Sequence, residues 1–229
     1  MNLKTFSAII IGILVIGLGA FFMNKKPQQS QATTTEEAPV VDKKKLTIVA
    51  FGDSLTAGYG GPLEDSYPAQ LEKKLTDEGI SVQIINMGVS GETTAGARER
   101  VQFILDQRPD IVLLGLGAND MLRMLPTQET RTNLDYIIQM LTKDGTNVVL
   151  LGMRSFPTNG KAYTEAFDAI FPDLAKKHSL PFVPFFLDDV ALNSTLNIQD
   201  GIHPNRTGYE KIINNNILPI LLPYVKKNF

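Results

Sequence analysis

Between Leu46 and Val225 the spacing of hydrophobic positions switches repeatedly between two periods, and each switch marks an element. The continuous apolar run Leu46–Phe51 predicts a strand covered on both faces. Tyr67, Leu71 and Leu75 share a helical stripe behind Ser66 as cap, ending near Gly79. Val82–Asn86 predicts a second strand. Thr94 is placed to cap a helix carrying Ala97, Val101, Ile104 and Leu105. Ile111–Leu114 comes next as a strand, then a helix with Leu134, Ile137, Ile138 and Leu141 that closes at Gly145. Val148–Leu151 is the fourth strand. Tyr163 to Lys177 predicts a helix kinked at Pro172, and Leu180–Val183 a short fifth strand. Gly208 to Val225 predicts a terminal helix interrupted or bent near Pro219 and Pro223.

Alternating strands and helices imply parallel strands joined by crossover helices, with helices on both faces of the sheet. Such sheets bind ligands beyond the carboxyl ends of their strands.

The segment before Leu46 differs in kind. Thr5 to Met23 carries no charge, and "FSAIIIGILVIGLGAFFM" is almost wholly apolar. At about 1.5 Å per residue it is long enough for a bilayer core of roughly 30 Å. It is longer than the usual apolar core of a signal peptide, and small-x-small cleavage patterns are weak within and after it. Residues 24–45, rich in Gln, Thr, Pro and charge, read as a flexible polar tether. The expected organisation is therefore residues 1–23 as signal anchor or signal peptide, 24–45 as linker, and 46–229 as one folded domain. That domain is expected outside the cytoplasm, anchored by the N-terminal segment or secreted after its cleavage.

The chain has 229 residues with net charge −2, which gives no electrostatic reason to expect a nucleic-acid partner. It contains no cysteine, which excludes disulfides, a thiolate nucleophile and Cys-ligated zinc. With 2 histidines, His178 and His203, few candidates exist for a general base.

The polar residues after the predicted strands carry the candidate chemistry. Strand one ends in Gly52-Asp53-Ser54, strand two in "MGVSGETT" and strand three in "GLGAND". If strand one lies between strands two and three, these loops meet at one crevice. Gly58-Tyr59-Gly60-Gly61, after Ser54, reads as a stretch that lets a substrate approach the backbone. Backbone N–H groups near Ser54 and Gly91, with the Asn119 amide, are candidate donors to an oxyanion, each worth roughly 10²–10³ in rate. His178 closes a helix, where the dipole accounts for it. His203 lies in "DGIHPN", with Asp200 three residues earlier and able to orient the imidazole.

Other chemistries fit less well. There is no G-x-S-x-G elbow and no phosphate-binding G-x-x-x-x-G-K-[ST]. In "GLGAND", Asp120 occupies the place of the last glycine of a dinucleotide fingerprint and would repel a pyrophosphate. No histidine–carboxylate cluster has the spacing of a metal site.

Together "FGDSLTAGYG", "GVSGETT", "GLGAND" and "DGIHPN" resemble, in order and spacing, the GDSL (SGNH) family of serine hydrolases, over nearly all of Leu46 to Lys227. "YPAQLEKKL" and "VPFFLDDVALN" bring the chain close to its bacterial arylesterase, lysophospholipase L1 and thioesterase I branch. The resemblance implies an α/β fold: a three-layer α/β/α sandwich with a five-stranded parallel, flavodoxin-like sheet. It implies Ser54 as nucleophile, His203 as base and Asp200 as orienting acid, with Ser54, Gly91 and Asn119 as oxyanion donors and Gly88 the alternative glycine. It implies no cofactor and no metal, and a small acyl-ester or lipid-derived substrate. Met121, Leu122, Met124 and Leu125 are candidates to line an acyl groove, and Phe156 another wall. A monomer is expected. The alternatives are a carbohydrate O-acetyl esterase and a tethered, non-catalytic binding module on the same fold.

Overall fold

The structure is a computed structural model, described for residues 45–229. The expectations for the N-terminal apolar segment and the tether lie outside the described residues. Five parallel strands, β1 (Leu46–Gly52), β2 (Val82–Gly88), β3 (Ile111–Gly115), β4 (Asn147–Leu151) and β5 (Phe182–Val183), form one sheet in the order β2-β1-β3-β4-β5. β1 lies between β2 and β3, as the convergence of the loops requires.

The apolar runs explain the strand order. Ile48, Val49, Ala50 and Phe51 of β1 and all of β3 are buried, as suits interior strands covered on both faces. β2, at the edge, keeps only Val82 buried. One group of helices comprises α2 (Tyr67–Asp77), α9 (Arg206–Ile212) and α10 (Leu218–Asn228). A second comprises α3 (Thr94–Glu99), α4 (Val101–Leu105), α6 (Thr127–Lys143), α7 (Lys161–Asp168) and α8 (Ile170–His178). Two helical layers around the sheet give the three-layer α/β/α sandwich.

Register sets the level of the site. Gly52 pairs with Gly88 on one side and with Gly115 on the other, so three adjacent strands end in glycine side by side. The short helix α1 (Ser54–Ala57) sits hard against these ends. A Cβ on Gly88 would collide with the Ala57 backbone, and one on Gly52 with Thr56 Oγ1 and the Gly115 carbonyl. These glycines let the first residues after β1 fold back onto the rim of the sheet.

Two helices depart from their expected form. The helix expected from Thr94 to Leu105 breaks into α3 and α4 at Arg100 (φ −110°, ψ 11°). The Arg100 guanidinium donates to the Met87 carbonyl at 2.9 Å and pairs with Glu92. That anchorage at the end of β2 holds the backbone out of helical geometry. The cap of α3 is Thr93, because Thr94 is buried with its hydroxyl 2.6 Å from Asp120. The Tyr163–Lys177 helix is two helices, parted at Ala169 rather than at Pro172. Proline lacks an N–H and its ring crowds the carbonyl four residues back, so α8 restarts with Pro172 in its first turn. The terminal helix is interrupted as expected, by a π-helical turn, Ile213–Ile217, just ahead of Pro219, while Pro223 lies inside α10.

Candidate active site

Helix α1 is capped by its own neighbour. The Asp53 carboxylate accepts the Leu55 N–H at 3.0 Å, which places Ser54 at the first helical position, above the end of β1. The Ser54 hydroxyl lies 2.8 Å from His203 Nε2, across 149 residues of sequence. His203 Nδ1 lies 2.6 Å from Asp200 Oδ2. The other Asp200 oxygen accepts the backbone N–H groups of Ile202 at 2.9 Å and His203 at 3.0 Å. The loop carrying the pair is closed by an antiparallel bridge between Asn197 and Pro204. The Tyr59 ring leans on the imidazole, with centroids 4.7 Å apart.

Desolvation alone would raise the Asp200 pKa. The His203 and Ile202 N–H groups and the imidazole outweigh it, and hold the carboxyl below its ordinary value. An ionised Asp200 is suited to fix the ring tautomer and stabilise an imidazolium.

Asp53 behaves in the opposite way. It is fully buried, and desolvation pushes its carboxyl from 3.8 up to about 7. The Leu55 N–H opposes this rise, the Asp120 and Glu92 carboxyls add to it, and the Asn119 side chain relieves part of it. Below about pH 4 both the folded and unfolded chains hold this proton. Between about 4 and 7 only the folded chain does, so this group makes stability fall as pH rises through that window. Asp53→Asn is expected to remove that fall, so that the difference in Tm between variant and wild type changes from pH 4 to pH 7 in the variant's favour. A pH-independent difference would assign the slope to other groups.

A cavity of about 270 Å³ opens beside Ser54. Gly91, at φ +81°, and Asn119, in the first turn of α5 (Ala118–Leu122), border it together with Ser54 and His203. The Gly91 turn is braced by Arg123, whose guanidinium donates to the Gly91 carbonyl at 2.7 Å. Gly88, the alternative glycine, is a strand end packed on α1 and does not border the cavity.

Met121, Leu122 and Phe156 all line the cavity, whereas Met124 and Leu125 do not. The Leu125 carbonyl instead accepts the Tyr163 hydroxyl at 3.1 Å. Of the Gly58–Gly61 stretch only Tyr59 reaches the cavity; Gly58 closes α1 in a left-handed conformation at φ +79°. Glycine there serves the turn rather than access to substrate. His178 is remote in function, closing α8 and lying 2.6 Å from Asp135 Oδ1. Asp120 is buried and accepts from Thr94 and Thr130, which ties α5 to α3 and α6 and leaves no room for a dinucleotide there.

Sequence reading missed several residues of this cavity, among them Arg154, Phe185, Leu187 and Leu192. Arg154 was within reach of it, since it stands in the loop after β4, where an open parallel sheet places its ligands.

A parallel sheet of this order, with a hydroxyl, an imidazole and a carboxylate in line at its carboxyl rim, belongs to the α/β/α hydrolases. The comparisons agree, since the model of the GDSL-like Lipase/Acylhydrolase family matches residues 50–211. The chain belongs to that family and is a carboxylic ester hydrolase. It is 40% identical to an arylesterase of Vibrio mimicus over 69% of this chain and 79% of the relative. It is 37% identical to the thioesterase 1/protease 1/lysophospholipase L1 of Escherichia coli, over 70% of this chain and 76% of the relative. The crystal structure of AlinE4, an SGNH-hydrolase family esterase, superposes with a TM-score of 0.67 at 40% identity, covering 82% of this chain and 98% of that one. Family membership removes the binding-module alternative.

Proposed function

We propose that the enzyme cleaves acyl esters, or the corresponding thioesters, through an acyl-enzyme on Ser54, with His203 as general base and Asp200 orienting it. The observation that carries this reading is the unbroken line from Asp200 through the imidazole to the Ser54 hydroxyl, with contacts of 2.6 and 2.8 Å. Ser54 Oγ attacks the carbonyl carbon as its proton passes to His203 Nε2. The resulting oxyanion is received by the Ser54 and Gly91 N–H groups and the Asn119 amide. As the carbonyl re-forms, the bond to the leaving group breaks and His203 returns the proton to it. Water then repeats the sequence, releasing the acid and restoring Ser54.

The apolar cavity walls, with Met121, Leu122 and Phe156, suit an acyl chain. The names of the relatives supply aryl esters, acyl thioesters and lysophospholipids as substrate types. The proposed setting is a monomer outside the cytoplasm, anchored to a membrane by residues 1–23 or secreted after their cleavage, and proximity to a membrane favours a lipid-derived ester.

The test is rapid mixing with p-nitrophenyl acyl esters of several chain lengths. A burst of p-nitrophenol of one equivalent per enzyme is expected, with the trapped acyl group found by mass spectrometry on the peptide containing Ser54. Turnover with the acyl group on another residue would refute the assignment.

A further inference from the structure

The cavity beside Ser54 is apolar but not uncharged. Among the described residues no aspartate or glutamate lines it, and Arg154 is the one lysine or arginine that does. Arg154 is exposed at the wall formed with Met153 and Phe156, in the loop after β4. Its guanidinium lies over the Phe185 ring, 5.2 Å from the centroid. That contact holds an arginine in place through its face and leaves its N–H fork free along the edge.

Arg100, Arg131 and Arg206 each pair with a carboxylate, but no ion pair among the described residues includes Arg154. Asp188 borders a neighbouring groove with it but forms no ion pair with it. A second guanidinium, Arg123, donates to the carbonyl of the lining residue Gly91 and forms no ion pair among the described residues, but does not itself line the cavity. In a chain of net charge −2 the lining of this cavity therefore carries one permanent positive charge and no carboxylate. A guanidinium fork that no carboxylate occupies, in the wall of the cavity that also holds Ser54, is complementary to an oxyanion group such as phosphate.

We propose that Arg154 is a specificity-determining residue that binds a phosphate group carried by the acyl substrate. The proposal rests on the reading of this cavity as the acyl-ester site. Phosphate could come from the headgroup of a single-chain phospholipid or from the carrier half of an acyl thioester, and the chemistry at Arg154 is the same. Arg154 takes no part in bond making. It adds binding energy for one class of leaving group and none for a neutral ester of the same acyl chain.

The experiment measures kcat/KM of the full chain in neutral detergent on three lauroyl substrates: lysophosphatidylglycerol, coenzyme A thioester and neutral monoacylglycerol. Arg154→Gln is expected to lower kcat/KM on the phosphate-bearing substrates by roughly tenfold to a hundredfold relative to the monoacylglycerol, mainly through KM. Arg154→Lys should recover part of that ratio, and added salt should lower it in the wild type. A relative loss confined to lysophosphatidylglycerol identifies the lipid headgroup; one confined to the thioester identifies the carrier. Equal loss on all three, or no change, overturns the role of Arg154 while leaving the esterase reading intact. Failure of the wild type to turn over any of the three overturns both.

Discussion

Ser54→Ala is expected to lower kcat for ester hydrolysis by about 10⁶-fold, and adding His203→Ala to cost almost nothing more. The two side chains form one device, with the imidazole 2.8 Å from the hydroxyl whose proton it would accept. Removing either leaves the other without a task, so the losses do not add. A factor of 10⁶ corresponds to about 8 kcal/mol of barrier. That is far beyond any effect of one methyl-sized change on packing, and Ser54 is the half-buried first residue of a four-residue helix. The measurement is turnover of one p-nitrophenyl ester by each single variant and the double, with Tm as the folding control. If the two losses multiplied, or if Ser54→Ala lost less than about tenfold, the hydroxyl and imidazole would not act as a unit.

Asn119→Ala is expected to lower kcat by about 10²- to 10³-fold with little change in KM. Asn119 borders the cavity from the first turn of α5, as Gly91 does from its turn. A donor placed for the oxyanion contributes when the carbonyl oxygen takes on charge, not when the neutral ester binds. The split between kcat and KM therefore separates this role from mere shaping of the cavity. A variant with raised KM and unchanged kcat would make Asn119 a wall of the pocket instead. Asn119 also lies close enough to Asp53 to ease the burden of that buried acid, so the Tm of the variant should be followed in parallel.

Much of the fold and the site is written in side-chain types at strand ends. β1, β3 and β4 declare themselves as unbroken apolar runs, and the residues just after β1 and β3 are polar out of proportion to a simple turn. Asp200 and His203 were readable because histidine is scarce and three residues of a tight loop bring carboxylate and ring together. The features that were not legible depend on contacts distant in sequence. The break at Arg100 comes from carbonyls and a carboxylate that only the folded sheet brings near. The division of Gly52, Gly88, Gly58 and Gly91 between packing, turn and cavity needs the position of α1. Composition likewise gave no hint that, in a chain with a slight acidic excess, the cavity beside Ser54 would hold an arginine that no carboxylate pairs.

Asp200 and His203 ride on a single loop, pinned between Asn197 and Pro204, while the Ser54 hydroxyl is carried by the short helix α1 at the end of β1. Any excursion of that loop carries both partners away as a rigid pair and opens only the gap to the serine. Such breathing would therefore act as an on–off tap: it would set how many molecules are competent at a given instant, and leave each competent molecule as fast as before.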